Sequence, residues 1–222
     1  MKSRTTLLFL LFLLACPGCA MFAPQKDVSR FYTLGSHSIV AMPPDETDVN
    51  LVVINLLLDE IPSYADCPYI TKKVAGNKLV FSEVDRWAEP FGDACIRVLQ
   101  DELSEKMRRC AMIVSSMHTI GNTLVCDYRI SIDFDDLIYN DEEKSVVLKC
   151  TWTFFDYAKR RQLCVYKYAA STPVDTDALE NIIEGMRIAL AALSSDIADR
   201  IHELNLLPTC HHSAGIATDG KN

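Results

Sequence analysis

The sequence predicts an α+β domain, a two-layer sandwich in which two amphipathic helices cover a largely antiparallel sheet. Three observations lead to this fold class. Apolar and polar residues alternate strictly over 126–135, which is typical of a strand with one solvent-exposed face. Apolar residues recur every three or four positions over 91–107 and 179–204, which is typical of helices with one buried face. The order of strands, helix, three strands and helix fits two layers around one core.

The first half of the chain contains short strands separated by proline or glycine. Residues 31–34 are a short candidate strand, and 51–58 form a nearly continuous apolar run. Such a run suits a central strand that is buried on both faces. Residues 69–74 and 78–83 flank Ala75-Gly76-Asn77, so we expect them to pair as a hairpin.

The second half contains both helices and a meander. The first helix is predicted to begin at Glu89-Pro90, because proline is favoured in a first helical turn. Residues 145–156 and 162–170 are predicted to continue strand 126–135 as an antiparallel meander. The second helix follows and ends before Pro208.

Composition narrows the classes of function. The net charge of −8 makes the chain a poor candidate for nucleic acid, which is bound through Lys and Arg clusters. Of the nine cysteines, only Cys16 and Cys19 form a CxxC pair, so no structural zinc site is predicted. Cys126, Cys150 and Cys164 fall on successive predicted strands, where a disulfide is conceivable, but the sequence does not determine any pairing.

The N-terminus has the order of a secretory signal. Lys2 and Arg4 precede an apolar run at 7–14 that is shorter than the roughly 20 residues a membrane span needs. Cys16 directly follows the small residue Ala15, and its thiol can carry a diacylglycerol anchor. Cys19 is the alternative lipidation site.

These features divide the chain into four parts. We predict a lipoprotein signal peptide at 1–15, a tether at 16–30, a single α+β domain at 31–207 and a disordered tail at 208–222. The domain would be held on a membrane by its lipid, facing away from the cytoplasm. No Asp follows Cys16, so the common inner-membrane retention signal of enteric bacteria is absent.

No catalytic motif is found in the sequence. It contains no GxSxG, P-loop or HExxH pattern, and its five histidines have no suggestive neighbours. The acidic residues between Asp133 and Glu143 lack the spacing of an EF-hand loop, which favours a solvated strand and turn. We therefore predict no catalytic residue, cofactor or metal. The enzymatic alternative, modification of lipid or peptidoglycan on the same anchor, lacks a nucleophile–base pair.

The junction Asp85-Arg86-Trp87-Ala88-Glu89-Pro90 allows two interpretations. In one it caps the helix, with Trp87 packed over the junction and Arg86 paired to Asp85 or Glu89. In the other, Arg86, Trp87 and Glu89 contact a partner, because Trp and Arg are enriched in interface hot spots.

At this junction the chain resembles the PqiC/YmbA-type lipoproteins, the ABC-type transport auxiliary lipoproteins. The resemblance extends from Cys16 to about Asn205 and is carried by these residues: Phe31-Tyr32-Thr33-Leu34, Val52-Val53-Ile54, Pro62, Tyr64, Ile70, Thr71, Arg86-Trp87-Ala88-Glu89-Pro90 and Ile96-Arg97-Val98-Leu99. The chain departs from the family in its high cysteine content and in the Cys16-Pro17 pair.

The resemblance implies an envelope lipoprotein on the inner face of the outer membrane. Its expected role is to dock or assemble a periplasm-spanning MCE-domain protein that carries lipid between membranes, without catalysis. A homo-oligomer and an assembly role in another secretion or polysaccharide export machine stay open as alternatives.

Overall fold

The computed structural model describes residues 27–35, 52–108, 110–114, 119–120, 123–124 and 126–207. Its strands are β1 (Arg30–Tyr32), β2 (Val52–Glu60), β3 (Tyr69–Lys73), β4 (Leu79–Trp87), β5 (Ala111–Val114), β6 (Thr119–Ile120), β7 (Thr123–Leu124), β8 (Tyr128–Asn140), β9 (Ser145–Asp156) and β10 (Arg161–Pro173). Its helices are α1 (Phe91–Met107) and α2 (Leu179–Glu203).

The long strand β8 organises an eight-stranded mixed sheet. β9 pairs antiparallel along one edge of β8, and β10 continues the meander beyond β9. On the other edge, β2 pairs in parallel with the first half of β8, and β3 pairs in parallel with its end. β5 extends the sheet beyond β2, whereas β4 and β1 extend it beyond β3.

The two-layer α+β fold is confirmed, and the meander agrees with the sequence-based prediction. The hydrophobic periodicity of the sequence did not reveal the parallel pairings. They join β1 to β4, β2 to β5 and β8, and β3 to β8, which are all distant in the sequence, because parallel strands cannot be connected by a tight hairpin.

One face of the sheet packs against both helices and forms the core. Apolar side chains of the sheet that point to this face are fully buried: Ile54, Leu56, Ile130, Ile132, Trp152 and Phe154. They meet the buried stripes of the two helices, which include Leu99, Leu103, Leu190, Leu193 and Ile197. Trp152 and Phe154 are therefore core side chains.

The described cysteines differ in their burial and bonding. Cys95 and Cys150 are buried free thiols, in keeping with small apolar side chains. Cys126 and Cys164 are also free, so the conceivable disulfide among Cys126, Cys150 and Cys164 is not formed. Cys110, which the sequence did not single out, is disulfide-bonded.

Several predictions concern residues outside the described ranges. These are the signal peptide at 1–15, Cys16, Cys19, the tether up to residue 26 and the tail at 208–222. Within the described ranges, neither helix has the length and apolarity needed to cross a membrane.

Candidate functional site

The junction singled out in the sequence lies at the end of β4, where three strands meet. β4 extends to Trp87 rather than ending near residue 83, so Asp85, Arg86 and Trp87 belong to the strand. β1 pairs in parallel with this end of β4, with Phe31 opposite Arg86, and β3 pairs antiparallel with Tyr69 opposite Arg86. Because directly paired residues point to the same side of a sheet, Phe31, Arg86 and Tyr69 form one row.

Trp87 points to the opposite side, into the core. Its indole is 6% exposed and stacks on Phe91, with 4.6 Å between the ring centroids. Its backbone N–H donates to the carbonyl of Pro68 at 2.8 Å. Trp87 thus packs over the junction, as the helix-cap interpretation proposed, and it is a core side chain rather than an exposed contact.

The two carboxylates of the junction are paired with other arginines. Asp85 accepts a hydrogen bond from Arg30 Nε at 2.7 Å, and Glu89 forms an ion pair with Arg97. The expected pairing of Arg86 with Asp85 or Glu89 is therefore wrong.

The Arg30–Asp85 pair joins β1 to β4, and the Glu89–Arg97 pair joins the junction to α1. Burial raises the pKa of Glu89, but hydrogen bonds from Arg97 and from the Thr33 hydroxyl outweigh this effect, so the pKa lies below its ordinary value. Burial likewise raises the pKa of Asp85, but hydrogen bonds from Arg30 and Ser82 outweigh this effect and bring the pKa below its ordinary value. Both carboxylates are consequently held in their charged form.

Arg86, in contrast, has an anionic neighbour among the described residues in Asp27, whose pKa is lowered by hydrogen bonds from Ser29 and by the charge of Arg86. No ion pair there includes it, and its Nε is buried without a hydrogen-bond partner. Its guanidinium lies 5.5 Å from the centre of the Tyr69 ring, which is a cation–π distance. The guanidinium of Arg86 therefore lies against an aromatic ring and forms no close ion pair in the described part of the chain.

An open cleft of about 540 Å³ lies beside this arginine, and we name it the Arg86 cleft. Six residues line it: Cys67, Tyr69, Phe81, Ser82, Glu83 and Arg86. Two aromatic side chains in this region are exposed, Phe81 in the lining at 46% and Phe31 on the neighbouring strand β1 at 62%. A clustered apolar surface of this kind marks an interaction site more often than scattered apolar residues do.

The structure brings together residues that sequence reasoning did not connect. Arg86 was predicted as a contact, but Phe31, Tyr69 and Phe81 were assigned only to strands. The aromatic side chains of the predicted hairpin strands, Tyr69 and Phe81, gave only a weak indication of a binding surface. Their position beside Arg86 depends on the parallel pairing of β1 with β4, which joins residues 55 positions apart.

The described residues contain no group of three or more His, Cys, Asp or Glu side chains placed to hold a metal ion. The acidic side chains near Asp133 repel one another. Burial and the charges of Asp59, Glu60 and Asp135 raise the pKa of Asp133. The thiol of Cys67, at the rim of the Arg86 cleft, donates to the carbonyl of Tyr64 at 3.2 Å.

Comparison with solved structures gives the same fold. The chain is similar to a protein whose structure is described only as that of an uncharacterized protein, with a TM-score of 0.63 and 14% identity over 78% of this chain and 98% of the other. It is also similar to protein XCC0632 from Xanthomonas campestris, with a TM-score of 0.59 and 12% identity over 78% and 94% of the two chains. No curated protein sequence matches the chain.

A family model matches residues 32–198, which include every strand and helix from β2 to β10 and most of α2. Its description is "ABC-type transport auxiliary lipoprotein component". The family places the chain in the cell envelope as a lipoprotein associated with an ABC transporter. The chain therefore belongs to the family of ABC-type transport auxiliary lipoprotein components.

Proposed function

We propose that this chain is a non-catalytic, lipid-anchored subunit of an MCE/ABC-type intermembrane lipid transport system. Its role is to dock or assemble the periplasm-spanning MCE component at the outer membrane. Family membership and the Cys16 motif support the anchored, auxiliary part of this role. The absence of a retention Asp after Cys16 supports the outer membrane as its location.

The observation that carries the docking role is Arg86, an arginine that forms no ion pair among the described residues and lies beside an open cleft with exposed aromatic side chains. Arginines and aromatic residues in such surroundings supply much of the binding energy of protein interfaces. Glu89 contributes indirectly, because its ion pair with Arg97 holds the end of β1 and the start of α1 together.

The position of the Arg86 cleft also suits docking near a membrane. About a dozen residues separate Cys16 from Val28, just before β1. Fully extended, such a tether spans at most about 40 Å, so the cleft stays close to the anchored lipid. A partner that spans the periplasm would meet this surface at the end of its path.

An affinity pull-down of the full-length lipoprotein from crosslinked envelopes, read by mass spectrometry, tests the proposal. We expect recovery of an MCE-domain protein together with a permease or ATPase of an ABC transporter. Recovery of components of a secretion or polysaccharide export machine instead would transfer the docking role to that machine. Recovery of no transport component would contradict the proposal.

A further inference from the structure

We infer that Cys110 forms a disulfide with Cys210, which fastens the chain beyond α2 to the segment between α1 and β5. This inference concerns a covalent modification and goes beyond the proposed docking function. Three observations lead to it: the count of cysteines, the reach of the chain on either side of the domain and the direction of α2.

The count of cysteines leaves three candidate partners for Cys110. The sequence has nine cysteines, and Cys110 is disulfide-bonded. The other cysteines in the described ranges are free thiols: Cys67, Cys95, Cys126, Cys150 and Cys164. The partner is therefore one of the cysteines outside those ranges, which are Cys16, Cys19 and Cys210.

Cys110 lies at the end of the sheet where β8 begins. Its carbonyl accepts a hydrogen bond from the N–H of Val52 at 3.3 Å, and Ile54 further along β2 pairs with Tyr128, the first residue of β8. The side chain of Cys110 is 4% exposed and belongs to the core. Its sulfur lies 3.4 Å from the carbonyl oxygen of Met107, which is a packing contact because a disulfide sulfur carries no proton. Cys110 is thus fixed between the last turn of α1 and the start of β5.

The two N-terminal cysteines are poorly placed to reach this position. β1 lies at the opposite end of the sheet, because β4 and β3 join it to the last residues of β8. The two ends of the 13-residue strand β8 are about 40 Å apart. The eight residues from Cys19 to Asp27 span at most about 29 Å when fully extended. Cys16 is predicted to carry a lipid on its thiol, which excludes a disulfide on the same sulfur.

The C-terminal cysteine is better placed, because α2 runs towards the Cys110 end of the sheet. Near its start, Gly185 lies against Val146 at the beginning of β9. Near its end, the guanidinium of Arg200 lies 4.5 Å from the centre of the Tyr166 ring, and Tyr166 pairs with the second half of β9. Since β9 is antiparallel to β8, α2 runs from the end of β8 towards its start.

The last described residues bring the chain close to Cys110. Leu204, Leu206 and Leu207 pack against the same core that contains Cys110. Cys210 follows Leu207 by three residues, which span at most about 11 Å. Of the three candidates, Cys210 is the one whose neighbours in sequence lie at the correct end of the sheet.

Formation of this disulfide requires an oxidant. Two thiols lose two protons and two electrons as the S–S bond forms, and a disulfide of an envelope oxidoreductase accepts them and becomes a dithiol. Such bonds persist in oxidising compartments such as the periplasm. The bond between Cys110 and Cys210 closes a ring of about 100 residues, and a cross-link over so long a loop strongly restricts the unfolded chain.

Peptide mass spectrometry of the full-length protein, purified from envelopes without reductant, tests the pairing. Free thiols are first blocked with N-ethylmaleimide. Trypsin then releases Cys110 and Cys126 together in peptide 110–129, and Cys210 in peptide 201–221. We expect these two peptides to be joined, with fragmentation locating the disulfide at Cys110 and the maleimide at Cys126. Reduction should separate them.

Thermal unfolding of Cys210→Ala tests the bond without changing any described residue. In non-reducing buffer the substitution should lower the midpoint of unfolding by about 5–10 °C, because the cross-link in the unfolded chain is lost. In buffer with a reductant, the variant and the wild type should unfold at the same temperature. Cys19→Ala is the matched control and should leave the midpoint unchanged in both buffers.

Any other pairing overturns the inference. Maleimide on Cys110 would show a free thiol, and a link from Cys110 to the peptide that contains Cys16 or Cys19 would place the bond at the N-terminal side. A link between Cys110 and any other cysteine, or a Cys210→Ala midpoint equal to that of the wild type in non-reducing buffer, would also overturn it. None of these outcomes bears on the proposed docking at the Arg86 cleft.

Discussion

At the scale of single residues, neighbours in the sequence have opposite functions in the fold. Trp87 is buried against Phe91, whereas Arg86 points to the outer face beside Tyr69. The sequence indicated that the junction mattered but not which side chain faced solvent. Strand alternation would have separated the two residues if the end of β4 had been placed at Trp87.

This division predicts different effects for two substitutions. Trp87→Ala should lower the free energy of unfolding by about 3–5 kcal/mol, because it removes a large buried ring. Arg86→Ala should change it by less than about 1 kcal/mol, because Arg86 forms no ion pair within the described structure. Chemical denaturation followed by circular dichroism measures both values. Equal decreases in the free energy of unfolding would show that Arg86 contributes as much to the stability of the fold as Trp87 does.

The Glu89–Arg97 pair makes a pH-dependent contribution at the same scale. The folded-state pKa of Glu89 lies below its ordinary value of 4.5, so the stabilisation is present above that value and is lost as the pH falls through the folded-state pKa. Relative to Glu89→Gln, the wild type should be more stable at pH 7 by at most about 1 kcal/mol, since both side chains are about one-third exposed. The difference should disappear near pH 2.

Denaturant titrations of both proteins at several pH values check this dependence. Asp101→Asn is the control, because Asp101 takes part in none of the ion pairs found in the described residues. A difference between wild type and Glu89→Gln that grows on acidification would contradict the assignment of the pair.

At the scale of elements, the helices and the meander could be predicted because each depends on local periodicity. β8, β9 and β10 agree closely with the alternating segments, and α2 agrees with the long apolar stripe. The strands β1, β3 and β4 were also foreseen as segments. Their assembly was not, because the pairing of β1 with β4 and of β3 with β8 depends on contacts distant in sequence.

The packing of the helices on the sheet gives a matched pair of predictions. A Cβ at Gly185 would lie 2.8 Å from Val174 Cγ2 and 3.1 Å from Val146 Cγ2, and valine side chains are short and stiff. Gly185→Ala should therefore destabilise the fold by about 1–3 kcal/mol despite the better helix propensity of alanine. Alanine at Gly92 would meet only the flexible end of Leu58 at such close range, at 2.7 Å.

Gly92→Ala should consequently stay within about 1 kcal/mol of the wild type, since the gain in helix propensity offsets the movement of Leu58. Thermal and denaturant unfolding of the two variants, side by side, tests how closely α2 approaches the sheet. A neutral Gly185→Ala would show that the contact with Val174 and Val146 is looser than the structure indicates.

At the scale of the whole molecule, the proposed function combines a lipid anchor, a folded domain and one proposed docking surface. The anchor was predicted from the N-terminal sequence and lies outside the described residues. Cys16→Ser should release the protein from the membrane fraction and abolish labelling by radioactive palmitate, because the lipid attachment site is lost. Cys19→Ser should leave both unchanged. The opposite result would move the lipidation site to Cys19.

The docking surface itself could be predicted only in part. Arg86 was found from composition at the junction, whereas the Arg86 cleft required the three-stranded assembly of β1, β3 and β4. Membership of a transport auxiliary family is compatible with the proposed docking surface.

One measurement tests the central claim most directly. Full-length lipoprotein carrying Arg86→Glu is purified, and the amount of MCE-domain protein recovered with it is measured. The matched control is Arg161→Glu on β10, which makes the same charge change at an exposed residue far from the Arg86 cleft in the sheet order. We predict that Arg161→Glu recovers as much partner as the wild type and that Arg86→Glu recovers about tenfold less or none. Full recovery by a normally folded Arg86→Glu variant would contradict the account.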